Sequence, residues 1–183
     1  APATGTTGDP SALFTTATFT QGGNLHVLYV SSQVSNNGTT LRLRHAWQPV
    51  STPTSPWAFE DVDGPGSALT GHTNDDVGQS LSVARIGSTW HAFYYDSTAH
   101  NLRDAAFDGS TWTFNVLDGA GATVPAVAGV AGTSDDVGSG STASVTSSFL
   151  YVFYRDATNG RLRGALSNDG VSWLRFDLDG PGT

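Results

Sequence analysis

The chain has 183 residues, a formal net charge of -8, 22 glycines, no cysteine and no methionine. It holds 20 serines and 23 threonines but one glutamate and no lysine, and its eight basic residues are all arginine. The missing cysteine excludes a disulfide framework and a thiolate metal cluster. The acidic balance argues against nucleic-acid binding and against a polybasic membrane anchor, and no apolar run approaches the roughly 20 residues of a spanning helix, so no membrane insertion is expected. Scarce helix formers and abundant Thr, Ser and Gly favour an all-β chain.

Ala1-Pro2-Ala3-Thr4 reads either as a mature end left by a signal peptidase or as an expression scar, and the first reading gives the expectation of a secreted or cell-surface protein. Strand-like alternation then begins at Phe14–Thr20 and continues in Leu25–Val30, after Gly22-Gly23. Asn37-Gly38-Thr39 matches a glycosylation sequon but reads better as a turn. Leu43-Arg44-His45-Ala46 is a third run, 48–56 a proline-rich loop, and Trp57-Ala58-Phe59 opens a fourth run that closes at Asp63-Gly64.

The same four runs come round again as Ser80–Ile86, Trp90–Tyr95, Leu102-Arg103-Asp104-Ala105 and Trp112-Thr113-Phe114, closing at Asp118-Gly119. After a loop over 119–132 they return as Ser141–Thr146, Leu150–Arg155, Leu162-Arg163-Gly164-Ala165 and Trp173–Phe176, closing at Asp179-Gly180. Asp75-Asp76-Val77-Gly78 and Asp135-Asp136-Val137-Gly138 precede the second and third units, and the period is about 60 residues. Four alternating runs joined by Gly, Asn-Gly and Asp-Gly turns describe a propeller blade. The sequence therefore predicts one β-propeller segment of three four-stranded antiparallel blades, over about 11–66, 71–121 and 132–183. Three wedges do not close a ring. Two copies pairing head to tail into six blades, a homodimer, is the expectation; a piece of a longer propeller is the alternative.

The runs Trp90-His91-Ala92-Phe93-Tyr94-Tyr95-Asp96, Leu102-Arg103-Asp104-Ala105 and Asp108-Gly109-Ser110-Thr111-Trp112, with their counterparts at 150–156, 162–165 and 169–173, resemble the fucose-specific β-propeller lectins of fungi and bacteria. The resemblance covers all three repeats. It implies sugar sites in grooves between adjacent blades, with an Arg and a Glu from one blade and a Trp from the next. Here the Arg position falls on His26, His91 and Tyr151, the Glu position on His45, Asp104 and Gly164, and the Trp position on Trp57, Trp112 and Trp173. One groove then pairs His26 and His45 with Trp112, and a second pairs His91 and Asp104 with Trp173. A third pairs Tyr151 and Gly164 with Trp57 of a second copy.

Each candidate has a structural alternative. The tryptophans supply a flat face for a sugar ring or fill the core between blades. The recurring Arg44, Arg103 and Arg163 make ion pairs within a blade, with Asp96 or Asp156 as partners, or contact a ligand directly. The Asp pairs cap turns, hold a hard cation or work as acid and base. No compact histidine spacing for zinc occurs, and no metal or cofactor is expected. Repetition favours a lectin binding glycans through several equivalent grooves. The alternatives are a non-catalytic interaction propeller or fragment of a surface protein and, behind it, a propeller glycosidase. No unique carboxylate pair stands out, so the sequence expectation is that the chain is not an enzyme.

Overall fold

The computed structural model describes residues 12–35, 38–124 and 129–181. Ala1–Thr4 and Asn37 lie outside the described residues. The described residues form twelve strands and no helix. The strands are β1 (Ala12–Gln21), β2 (Asn24–Ser35), β3 (Gly38–Pro49), β4 (Ala58–Asp63), β5 (Val77–Ile86), β6 (Thr89–Asp96), β7 (Asn101–Phe107), β8 (Trp112–Asp118), β9 (Val137–Val145), β10 (Leu150–Asp156), β11 (Arg161–Ser167) and β12 (Leu174–Asp179). They make three four-stranded sheets in the orders β1-β2-β3-β4, β5-β6-β7-β8 and β9-β10-β11-β12. The strands pair antiparallel with their neighbours in sequence, as in a propeller blade.

The chain divides into two compact units, Ala1–Gly78 and Gln79–Thr183. The first unit holds the first blade. Its β2 and β3 run on past the repeat consensus in unbroken register from Asn24↔Pro49 to Ser35↔Gly38, so residues 31–35 and 38–42 extend the hairpin.

The second unit packs blade 3 on blade 2. Phe93, Leu102 and Leu117 of blade 2 share one core with Val137, Val152, Tyr154, Ala165 and Trp173 of blade 3. Burial of each large side chain there contributes roughly 1.5–3 kcal/mol. A polar clamp crosses the same boundary. Asp118, fully buried, accepts from the Tyr154 hydroxyl at 2.7 Å, from Arg163 Nε at 3.0 Å and from the Thr133 amide at 3.0 Å.

The strand that opens blade 3 begins at Val137, ahead of the run expected from Ser141. Gly138 explains the earlier start. Its φ is +113°, and a Cβ there would lie 2.9 Å from the Leu102 Cα. Only glycine lets this strand approach blade 2 so closely.

The repeated arginine finds its partner one strand over. Arg44 meets Asp61 at 2.8 Å and Arg163 meets Asp177 at 2.9 Å, each across a register pair. The expected partners Asp96 and Asp156 are occupied otherwise. Asp96 accepts from the Thr98 and Ala99 amides, and Asp156 accepts from Asn159. In blade 2 the residue opposite Arg103 is Val116, and Arg103 is buried.

The Asp pairs act at turns. The Thr73 hydroxyl donates to Asp75 and the Thr133 hydroxyl to Asp135, both at 2.6 Å, and Asp136 accepts from the Tyr95 hydroxyl at 2.7 Å. Among the described residues no group of three His, Asp or Glu is placed to hold a metal ion.

Candidate functional site

β6 and β7 pair in the register His91↔Ala106 and Phe93↔Asp104, and β7 and β8 pair as Asp104↔Asn115 and Ala106↔Thr113. This places Thr89, His91, Asp104, Ala106, Thr113 and Asn115 on the face of blade 2 that carries Phe93. Toward the β11–β12 end of blade 3 this face leaves a cleft of about 340 Å³. Threonine hydroxyls, the Asn115 amide, His91 and the Asp108 and Asp169 carboxylates line it, with Gly170 and Val171 from the blade 3 loop. This is a donor-and-acceptor-rich lining that suits a polyhydroxylated ligand.

His91 is the most constrained group of the lining. It is 2% exposed. Its Nδ1 lies 3.0 and 3.1 Å from the two oxygens of Asp104, itself fully buried. A carboxylate only accepts, so Nδ1 carries the proton in this bond, and in the neutral ring Nε2 presents its lone pair. Nε2 is buried and has no hydrogen-bond partner. It sits against Gly170, where a Cβ would be 2.6 Å away, and the Gly170 φ is +77°. Glycine at this turn is what leaves room for the imidazole edge.

The two acids at the cleft are tied into turns. Asp108 takes the Thr111 and Ser110 amides and the Ser110 hydroxyl, which hold its carboxyl below the ordinary range. Asp169 takes the Ser172 and Val171 amides and is held at about 2. A general acid needs a raised pKa, so neither suits that role.

The second expected groove is thus assembled in part. Trp173 of blade 3 does meet His91 of blade 2, edge-on, with ring centroids 6.2 Å apart. It also stands edge-on to Phe93 at 5.6 Å. Trp173 is fully buried, however, so its faces are spent on the core and it offers no stacking platform. Asp104 is likewise shut in behind the imidazole, and only His91 of the three lines the cleft.

The remaining expected site residues lie elsewhere. Trp112 is on the opposite face of blade 2, buried and stacked on Phe107 at 4.7 Å. Trp57 precedes β4 and is 37% exposed. Tyr151 is half-buried and lies near-parallel to Phe153, 6.1 Å away, while Gly164 is filled over by the Phe176 ring. Arg163 has its guanidinium committed to Asp118, Asp177 and the Ala131 carbonyl, so its role is structural.

His26 and His45 form a buried chain inside blade 1. His26 Nδ1 lies 2.8 Å from His45 Nε2, and His45 Nδ1 lies 2.8 Å from Glu60. His26 Nε2 closes the chain on the Gln21 carbonyl at 3.2 Å. Burial pushes the His26 imidazole below its usual value. Sequence reasoning missed the cleft-lining Thr113, Asn115, Asp108 and Asp169. Period-two alternation from Asp104 through the β7–β8 turn would have put Thr113 and Asn115 on its face. The two Asp-Gly turns carried no signal beyond turn chemistry.

No family model matches the sequence, and no curated protein matches it. Solved structures do share its fold. An N-acetylgalactosamine deacetylase from F. plautii, in complex with blood group B trisaccharide, is 11% identical with a TM-score of 0.50, over 87% of this chain and 51% of that one. The catalytic domain of a GH62 α-L-arabinofuranosidase from Coprinopsis cinerea is 13% identical with a TM-score of 0.46, over 83% and 44%. A GH32 β-fructofuranosidase from Bombyx mori is 14% identical with a TM-score of 0.46, over 88% and 33%. The chain spans between a third and a half of the length of these structures.

At these identities the likeness is one of fold. What stands of the lectin resemblance is the propeller-type blade. The expectation that the chain is not an enzyme is corrected: the deacetylase that shares its fold is an enzyme, so this fold does not exclude catalysis. That expectation rested on the want of a unique carboxylate pair in the sequence, which leaves other kinds of catalysis at a single boundary open.

Proposed function

We propose that this chain recognises a carbohydrate in the cleft between blade 2 and the β11–β12 loop of blade 3. The observation that carries the reading is the His91 Nε2 atom. It is a buried atom without a hydrogen-bond partner, on a ring held by Asp104, and His91 lines a cleft of hydroxyl and amide groups. A sugar hydroxyl is a donor of the right kind for it. Fucose, to which the lectin resemblance points, is the first probe.

A glycan array read with the labelled protein tests this. Binding to at least one glycan is expected, with loss in His91→Ala and at least tenfold weakening in Thr113→Val, a change at an exposed position that spares the core. An array without binding, or binding that both variants retain, refutes it.

A second reading is turnover of the bound sugar, favoured by the Asp104–His91 pair. A carboxylate on Nδ1 fixes the tautomer that leaves Nε2 as a proton acceptor. Fluorogenic glycosides and acetylated sugars test it: product release that Asp104→Asn abolishes supports turnover, and no release from any of them removes it. The homodimer expected from the repeat count belongs with the same proposal, since a third groove would draw Trp57 from a second copy.

A further inference from the structure

Arg175 breaks the repeat at a buried position. Its register pair on blade 3, Ala165↔Arg175, corresponds to Ala46↔Phe59 on the first blade and Ala105↔Phe114 on blade 2. Two blades thus fold with a phenyl ring where the third carries a guanidinium, and that guanidinium's residue is 2% exposed. A buried charge is costly unless it is compensated, so packing alone does not account for the arginine. Two of its nitrogens serve the fold: Nε donates to the Leu117 carbonyl at 2.6 Å and Nη2 to the Val124 carbonyl at 3.3 Å. Nη1 has no hydrogen-bond partner among the described residues. Gly132 leaves it uncovered, for a Cβ there would lie 3.5 Å from Nη1.

The charge is not balanced either. Arg161, Arg163 and Arg175 meet two carboxylates, Asp118 and Asp177. Arg163 holds both, at 3.0 and 2.9 Å, and Arg175 is left 3.8 Å from Asp118. One positive charge of this cluster is left over, in a chain whose net charge is -8. Arg175 lines a second cleft, of about 570 Å³, walled otherwise by small residues of the 119–122 turn and by Val124, Gly132, Thr133 and Ser134. Val124 also lines the first cleft, so the two adjoin there.

We propose that this second cleft takes the carboxylate of a hexuronic acid, with Arg175 Nη1 as its donor. One surplus charge and one free amino group suit a monoanion. That the anion is borne on a sugar rests on the carbohydrate reading above; the carboxylate site itself rests on Arg175. An acidic oligosaccharide lying across Val124 places one residue against His91 and its uronate against Arg175.

A proton–nitrogen NMR titration of the full chain with D-glucuronate, and with D-glucose as the neutral control, tests the inference. Glucuronate should shift the Arg175 Nε signal and the Gly132 and Ser134 amides, and bind roughly tenfold or more tighter than glucose, the worth of one charge-assisted hydrogen bond. Gly132→Ala sets a methyl in ordinary contact with Nη1, at a φ outside the left-handed region, and should weaken glucuronate by a similar factor in a folded chain. Arg175→Phe, the residue that the other two blades carry, should abolish the preference for glucuronate over glucose. Glucuronate that does not bind, or binds no better than glucose, overturns the inference. So does binding that both variants retain, or shifts confined to Thr113 and Asn115, which put the sugar in the first cleft. A silent glycan array with glucuronate still bound at Arg175 refutes the His91 reading and leaves the carboxylate site standing.

Discussion

Tyr154→Phe tests the polar clamp with the smallest possible change. The variant removes one oxygen and keeps the buried ring. The lost bond is the 2.7 Å donation to Asp118, a hydrogen bond to a charged acceptor, worth about 1.5–3 kcal/mol. Asp118 keeps Arg163 and the Thr133 amide, so the lower half of that range applies, about 1.5–2 kcal/mol. Urea unfolding near neutral pH should show this loss with an unchanged m-value.

The pH dependence sharpens the test. Burial, and then the negative charge of Asp118, raise the Tyr154 phenol above its ordinary value. The folded state then holds that proton more tightly than the unfolded chain does. Its contribution is fully present below the unfolded phenol pKa of about 10 and falls away as pH rises beyond it. Wild type should lose stability there faster than Tyr154→Phe, and the gap between them should shrink. A variant within about 0.5 kcal/mol of wild type, with the same alkaline loss, would refute the reasoning.

Trp173→Ala should cost about 3–5 kcal/mol, because a fully buried indole leaves a cavity at the blade boundary; thermal unfolding checks this, and unchanged stability with lost glycan binding would return Trp173 to the ligand site. Gly170→Ala adds a Cβ 2.6 Å from His91 Nε2 at a φ of +77°, so it should cost about 1–2 kcal/mol and displace the imidazole; loss of glycan binding in a folded variant, read by calorimetry and circular dichroism, is the expected result. Asp169 is held at about 2 by turn amides, so its stabilising contribution should be present above the ordinary carboxylate value of about 3.9 and disappear as pH falls toward 2. A carboxyl carbon NMR titration reads it directly.

Much of this fold was legible because its signals are local. Period-two alternation in Trp90–Tyr95 and the recurring Leu-Arg-x-Ala run report a strand wherever they occur, and Asp-Gly turns report where it stops. Trp57 and Trp173 were legible as positions, but each falls just ahead of the fourth strand it was expected to open. The burial of Trp173 was not legible, because it depends on how close Gly138 lets two blades come. Partner choice failed for a similar reason. The sequence offers Asp96 and Asp156 on the second strand as partners of the repeated arginine, whereas the register bulges beside Leu43 and Leu162 bring Asp61 and Asp177 opposite Arg44 and Arg163. The cleft escaped because Thr113 and Asn115 are ordinary strand residues until Asp104 and His91 are set beside them.

The chain of Glu60, His45, His26 and the Gln21 carbonyl has a consequence in proton number. Three hydrogen bonds in series need three protons, and two neutral imidazoles bring only two. A third proton would balance the carboxylate, so the set with all three bonds made is electrically neutral however the protons are shared. Neutrality is what lets two buried imidazoles sit behind a partly exposed carboxylate. Replacing Glu60 by Gln would therefore force a choice between a broken link and an uncompensated charge, and the sole glutamate of the sequence sits where that choice is avoided.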